Sequence, residues 1–335
     1  MPPTAAPETL DAITEAIARE ARTGLAATPT TQKTLPPWLF YDEAGSHLFE
    51  QITALPEYYL TRVERAIFTT HADEIVRAAA GQPRQPLTLI ELGAGTATKT
   101  GILLSAAVRL QGRVVYQPVD VSVTALDRAR QNILDHIPDV SVRCQVADYT
   151  REPLPENRLR GIRTLALYIG SSIGNFTPAE ARAVLSNLRA QLLPGDQLLL
   201  GTDMVKDAET MLAAYNDVQG VTAAFNRNVL VRLNRDLGAD FDLAAFRHKA
   251  IWNAAESRIE MHLESLAAQR VHIPANGAGP ALTLHFAAGE TIHTENSYKF
   301  TPAAIESLLE AASFKATHTW TDAGKLFAVT LATAM

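Results

Sequence analysis

The chain has 335 residues, of which 47% are hydrophobic and 20% charged, with 30 basic and 36 acidic residues and a net charge of −6. This composition excludes a low-complexity disordered chain. A disulfide scaffold is excluded because Cys144 is the single cysteine, which fits a reducing compartment. The acidic balance lacks the basic footprint of extended phosphate binding, no apolar run approaches the ~18 residues of a membrane span, and Met1-Pro2-Pro3-Thr4 does not open a signal peptide. The expectation is a cytoplasmic protein without nucleic-acid or membrane partners, built as two domains or one core with a large insertion.

Taken in chain order, Leu10, Ile13, Ile17 and Ala18 recur at helical spacing and predict an amphipathic helix over 8–23. Residues 24–37 are rich in Thr, Ala and Pro and read as a loop. A short helix follows near Ser46–Ala54, broken at Pro56, and another runs over about 62–80. Leu87-Thr88-Leu89-Ile90 is the short apolar run of a strand buried on both faces. It leads into Glu91-Leu92-Gly93-Ala94-Gly95-Thr96 and a helix over 98–110. Strands are predicted over 114–119, 142–146, 164–169 and 197–201, with helices between them, one capped by Ser122 and one opening at Pro178. Helices over 208–218 and 222–237 follow, then strands over 248–252, 258–267, 281–286 and 290–294, with a turn at 275–280. The last elements are a helix over 301–312 and strands over 314–320 and 326–330, joined at Asp322-Ala323-Gly324.

Repeated strand–helix alternation implies a mostly parallel sheet covered on both faces, and such sheets bind ligands beyond the carboxyl ends of their strands. Gly93, Asp120, Asp148 and Gly170 all fall at such ends. The Gly93-Ala94-Gly95 turn lacks the third glycine of a dinucleotide fingerprint and the Gly-Lys-Ser/Thr of a phosphate loop, so alone it is equally a tight strand-to-helix turn. Asp120, 27 residues after Gly93, is placed to accept ribose hydroxyls, or else to cap the next helix. Asp148-Tyr149 can receive and cover an adenine, or can simply form a loop. Three such features on consecutive strand ends favour S-adenosylmethionine over NAD, although an NAD-dependent oxidoreductase on the same sheet stays open. Gly170-Ser171-Ser172-Ile173-Gly174-Asn175 would face the transferred methyl group, where Asn175 offers one acceptor and two donors to an amine. The bland reading is a turn leading to Pro178. Tyr41, Tyr58, Tyr59, Tyr215, Glu295 and Ser297 lie outside the sheet, and spacing alone does not bring them together. No metal-ligand set is read from the sequence.

At Leu55-Pro56-Glu57-Tyr58-Tyr59, Glu91 to Thr100, Pro118-Val119-Asp120-Val121-Ser122, Gly170 to Asn175, Gly201 to Asp207, Gly220 to Asn226 and Ile259-Glu260-Met261, the chain resembles the L-histidine Nα-methyltransferases of ergothioneine biosynthesis. The likeness runs from Phe40 to Phe300. It implies a class I, Rossmann-like, doubly wound α/β sheet with an inserted α+β substrate-binding domain. Residues 62–202 plus 297–335 would bind S-adenosylmethionine, and 8–61 plus 203–296 would bind the substrate. By the same resemblance, Gly93, Lys99, Asp120, Asp148 and Tyr149 hold the cofactor, with Tyr41 and Gly170 closing over it. Asn175 and Tyr215 grip the amino and carboxylate ends of the amino acid, helped by Tyr58. Glu295 and Ser297 read the imidazole, Met261 walls the pocket, and catalysis falls to Asn175, Tyr215 and Tyr41. The implied reaction is trimethylation of L-histidine to hercynine by a monomer. Relatives act on other amino acids, tryptophan derivatives included; Glu295 argues for histidine, because a polar imidazole needs a buried hydrogen-bond partner. A non-catalytic scaffold and nucleic-acid methylation are disfavoured, by the intact Gly93/Asp120/Asp148 set and by the acidic balance.

Overall fold

The structure is a computed structural model that describes residues 10–26, 31–150, 152, 161–275 and 279–335. Its elements run α1 (Leu10–Leu25), β1 (Lys33–Thr34), α2 (Glu43–Ala54), α3 (Tyr59–Ala80), β2 (Leu87–Leu92), α4 (Thr100–Gln111), β3 (Val114–Asp120), α5 (Val123–His136), β4 (Val140–Val142) and β5 (Gln145–Val146). They continue with β6 (Arg163–Tyr168), α6 (Pro178–Ala190), β7 (Gln197–Asp203), α7 (Ala208–Ala213), α8 (Val221–Leu237), β8 (Phe246–Asn253), β9 (Arg258–Ser265), β10 (Gln269–Ile273), β11 (Leu282–Phe286), β12 (Thr291–Tyr298), α9 (Pro302–Ala311), β13 (Phe314–Thr321) and β14 (Phe327–Ala334). Among the described residues no helix is long and apolar enough to cross a membrane.

The chain divides into two compact units, one formed by Met1–Tyr59 with Asp207–Ser297, the other by Leu60–Lys206 with Tyr298–Met335. The second, the sheet unit, holds an eight-stranded sheet in the order β13-β14-β7-β6-β2-β3-β4, with β5 also paired to β3. Strands β2, β3, β4, β5, β6 and β7 are parallel, while β14 runs antiparallel to both of its neighbours, β7 and β13. The order reverses between β2 and β6, and a doubly wound sheet opens a ligand crevice at that switch point. All seven residues of β7 are buried, as expected where helices cover both faces of a strand. The helices start where the side chains dictate. Ser122 accepts the Ala125 N–H, and Thr177 with Glu180 forms a capping box ahead of Pro178.

The other unit, the inserted unit, carries the sheet β1-β12-β9-β8 and the hairpin β10–β11. Helix α8 buries Phe225, Val229, Leu230 and Leu233.

Several elements differ from their sequence expectation. The strand read over 142–146 is two short pieces, β4 and β5. The helix read over 208–218 stops at Ala213, because Asp217 accepts the N–H groups of Val221 and Thr222 at 3.0 and 2.8 Å and so opens α8 instead. Within the stretch read as a loop, Lys33–Thr34 pairs in parallel with β12. Strand β10 went unpredicted, although its exposed Arg270 and His272 alternate with buried Val271 and Ile273. Strand β12 extends past 294 to Tyr298, which puts Glu295 and Ser297 on a strand. The first residues of the 8–23 helix, part of the 24–37 loop and most of the 275–280 turn lie outside the described residues.

Candidate active site

In the sheet unit, the turn after β2 is left-handed at Gly93 (φ 68°) and Gly95 (φ 51°), which glycine adopts without a steric penalty. The Gly93 N–H donates to the Val119 carbonyl at 2.9 Å, tying the turn to β3. Asp120, at the end of β3, uses both oxygens locally: Oδ2 accepts the Gly95 N–H at 3.1 Å and Oδ1 the Ser122 N–H at 2.9 Å. The carboxylate therefore organises the glycine turn and the start of α5 together. A carboxylate has about four acceptor positions, so these two bonds leave capacity for ribose hydroxyls.

Past β5, Asp148 Oδ1 accepts from the Thr150 N–H at 3.0 Å and its hydroxyl at 2.5 Å. The Tyr149 ring meets Tyr168 edge-on at 5.7 Å. Although Tyr149 as a whole is only partly buried, its hydroxyl end is enclosed, and this burial pushes the phenol up to about 12. A Cβ at Gly93 would stand 3.2 Å from that hydroxyl, so the glycine is also the residue that fits beneath Tyr149.

Beyond β6, Gly170 (φ 80°) and Ser171 (φ 61°) are left-handed, and a tight turn over Ser172–Asn175 follows. The Ser171 hydroxyl accepts the Asp203 N–H at 2.9 Å. A Cβ at Gly174 would meet the Tyr298 carbonyl at 2.8 Å, a contact no other residue could make without displacement. Asn175 sits at the end of this turn, half-buried. Lys99, just ahead of α4, pairs with Glu64, whose Oε1 also accepts the Gly170 N–H at 2.8 Å. Glu64 thus joins two residues that the sequence singled out, Lys99 and Gly170, and is itself fully buried. It was missed, although its position among Leu60, Ile67 and Phe68 on the apolar stripe of α3 was a usable signal. Glu91 was missed as well. It accepts from the Thr100 hydroxyl at 2.7 Å and from the Tyr116 phenol, and its burial raises it to about 7.

The inserted unit brings another group together. The Tyr215 hydroxyl and Ser297 Oγ are 2.6 Å apart, and the Tyr58 and Tyr215 rings meet edge-on at 6.3 Å. Along β12 the buried positions run Ile292, Thr294, then Ser297 and Tyr298. The alternation ends there, with Ser297 and Tyr298 both buried and Asn296 only partly so. Met261 is buried on β9, and its carbonyl accepts the Thr294 hydroxyl at 2.9 Å. Asn226 of α8 ties these strands: it accepts the Thr294 hydroxyl at 2.8 Å and donates to the His262 carbonyl at 3.0 Å. Its amide also donates to His248 Nδ1 at 2.8 Å, which leaves His248 Nε2–H to hold the Tyr215 carbonyl at 2.8 Å. Burial lowers the pKa of His248, in keeping with this neutral form. Asn226 and His248 carry no motif of their own and were not read from the sequence. Glu295 is half-buried on β12.

Tyr41 belongs to the inserted unit, not to the unit with the glycine turn. It is 42% exposed, with its ring edge-on to Phe49 and Phe225 at 5.8 Å. Asn175 belongs to the sheet unit, whereas Tyr58, Tyr215, Met261, Glu295 and Ser297 all belong to the inserted one.

The residues of the sheet unit fit S-adenosylmethionine. Glycines clear the backbone at the two strand ends flanking the switch point, where a Cβ on Gly170 would approach Lys99 Nζ to 3.4 Å, and carboxylates stand at the next strand ends. Comparison with known proteins agrees. Residues 17–334 match the family described as histidine-specific methyltransferase, SAM-dependent. The chain is 45% identical over 322 residues to a histidine N-alpha-methyltransferase of Mycolicibacterium smegmatis, covering 96% of each. It is 44% identical over 317 residues to the Mycobacterium tuberculosis protein of the same name, covering 95% of this chain and 94% of that one. Ergothioneine biosynthesis protein 1 of Schizosaccharomyces pombe is 30% identical over 293 residues, 84% of this chain but 36% of that longer protein. The oxidoreductase alternative falls with these matches: the chain belongs to the family of histidine-specific, S-adenosylmethionine-dependent methyltransferases.

Proposed function

We propose that this protein methylates the α-amino group of L-histidine three times to give hercynine, the first step of ergothioneine biosynthesis. The observation that carries the reading is the Tyr215–Ser297 hydrogen bond beside Tyr58, within a chain that aligns over 96% of its length with a histidine N-alpha-methyltransferase. Bound S-adenosylmethionine supplies a methyl group already activated on a sulfonium.

What remains for the protein is positioning. Asp120 takes the ribose, Asp148 and Tyr149 take the adenine, and the Lys99–Glu64–Gly170 group sets the amino-acid end. The Asn175 carbonyl orients the α-amine, which attacks only when neutral, so one proton leaves per cycle. Tyr215 and Tyr58 hold the carboxylate end. Glu295 and Ser297 bond the imidazole, which favours histidine over an indole substrate. After the third transfer the nitrogen has no lone pair, and the reaction stops.

Mass spectrometry of histidine with S-adenosylmethionine tests the reading. The expected product is the trimethylated betaine. Methylation of tryptophan in preference to histidine would replace the substrate while keeping the reaction class.

A further inference from the structure

A second group of chemically capable side chains lies on the inserted unit's sheet. Glu260 and His262 are two residues apart on β9, and His293 is on the neighbouring strand β12. Each offers one ligand atom such that all three atoms lie within 4.8 Å of one another. The two imidazole rings are stacked, with centroids 4.6 Å apart and planes at 19°. His262 Nε2 lies 3.0 Å from Glu260 Oε2.

We propose that Glu260, His262 and His293 form a binding site for a divalent transition-metal cation of the zinc type. Two donors on one such ion, each at about 2.0–2.2 Å, stand roughly 3–3.5 Å apart, so the His262–Glu260 pair already has that spacing, and the imidazole takes the tautomer with its proton on Nδ1 when Nε2 ligates. The surrounding groups hold the donors in place. Asn253 Nδ2 and Arg258 Nε bond Glu260 Oε1 at 2.9 and 2.8 Å, which leaves Oε2 turned to His262. His293 Nε2 donates to the Glu295 carbonyl at 3.1 Å, which in the neutral ring leaves the lone pair on Nδ1. Outer bonds of this kind orient metal ligands. His262 is 5% exposed, and its Nδ1 has no hydrogen-bond partner, so the polar contact of the ring is made through Nε2, on the Glu260 side.

The donor set selects the ion. Arg258 already balances the charge of Glu260, so two imidazoles rather than net negative charge must supply the affinity. That favours zinc-like ions over magnesium or calcium. Glu295 is one hydrogen bond away through its carbonyl, so the cation would stiffen the strand segment that carries Glu295 and Ser297. The site stands whichever amino acid the protein methylates.

Calorimetric titration of the tag-free, full-length, metal-stripped chain with Zn²⁺, and with Co²⁺ as a spectroscopic probe, tests this. The expected result is one cation per chain, a Zn²⁺-dependent rise in melting temperature, and affinity weakened about tenfold or more by Glu260→Gln and by His293→Asn. His293 is half-buried, so its variant is the one expected to fold, and its melting temperature should ignore Zn²⁺. No saturable binding to the wild-type chain, or binding by both variants as tight as that of the wild type, would overturn the proposal.

Discussion

Glu64 and Lys99 are paired inside the sheet unit, and the same Glu64 carboxylate accepts the backbone N–H of Gly170. One buried side chain thus sets both the basic residue after β2 and the left-handed turn after β6, on the two sides of the switch point. Glu64→Gln leaves Lys99 without its counter-ion. Removing one partner of an enclosed charge pair costs about 2–5 kcal/mol. If this group sets the amino-acid end of the donor, S-adenosylhomocysteine binding should weaken at least tenfold, while methylthioadenosine, which lacks that end, should bind as before. Equal loss for both ligands would reduce Glu64 to a general structural role.

Tyr215→Phe removes the hydroxyl that meets Ser297 at 2.6 Å and keeps the ring against Tyr58. A hydrogen bond of about 1–2 kcal/mol predicts a rise of roughly five- to thirtyfold in the KM for histidine. The affinity for S-adenosylhomocysteine should not move. A KM within twofold of wild type would take Tyr215 out of substrate binding.

Asn175→Ala removes the carbonyl proposed to aim the amine. Turnover should fall by about two orders of magnitude or more with donor binding retained, since misorientation of the nucleophile is a rate effect. Single-turnover mass spectrometry with isothermal titration of S-adenosylhomocysteine separates the two quantities, and unchanged turnover would exclude the role.

Glu91 gives a pH prediction. Burial raises it from 4.5 to about 7 in the folded protein, so the folded state holds a proton that the unfolded chain releases. Stability from this group is therefore full below about pH 4.5 and declines as pH rises through 7. Above that, the ionised carboxylate costs on the order of 3 kcal/mol. Glu91→Gln keeps the shape without the charge, so its denaturation midpoint relative to wild type should climb between pH 5 and pH 8. Parallel curves at the two pH values would contradict the raised value.

Much of this was legible in the sequence because backbone demands leave marks. Gly93, Gly95 and Gly170 sit where left-handed turns follow strands, and β7 is marked by the apolar run Leu198-Leu199-Leu200. What was not legible depends on pairing across distance. Ser297 meets Tyr215 across 82 residues of sequence, at a point where the alternating burial of β12 has given way to two buried residues in succession. Asn226 gathers a carbonyl of β9, a hydroxyl of β12 and a histidine of β8, and no local spacing encodes that convergence. The stacking of His262 on His293 likewise needs β9 and β12 side by side.

The interleaving of the two units bears on biosynthesis. Strand β14 fills the position between β7 and β13, yet the ribosome makes it only after the whole stretch Asp207–Ser297. Until then β7 offers an open edge, its seven residues chosen for burial. The nascent protein must therefore carry a sticky, half-finished sheet through the translation of an entire second unit. A chaperone that shields that edge, or fast autonomous closure of the later-made segment, would decide how much of the product escapes aggregation.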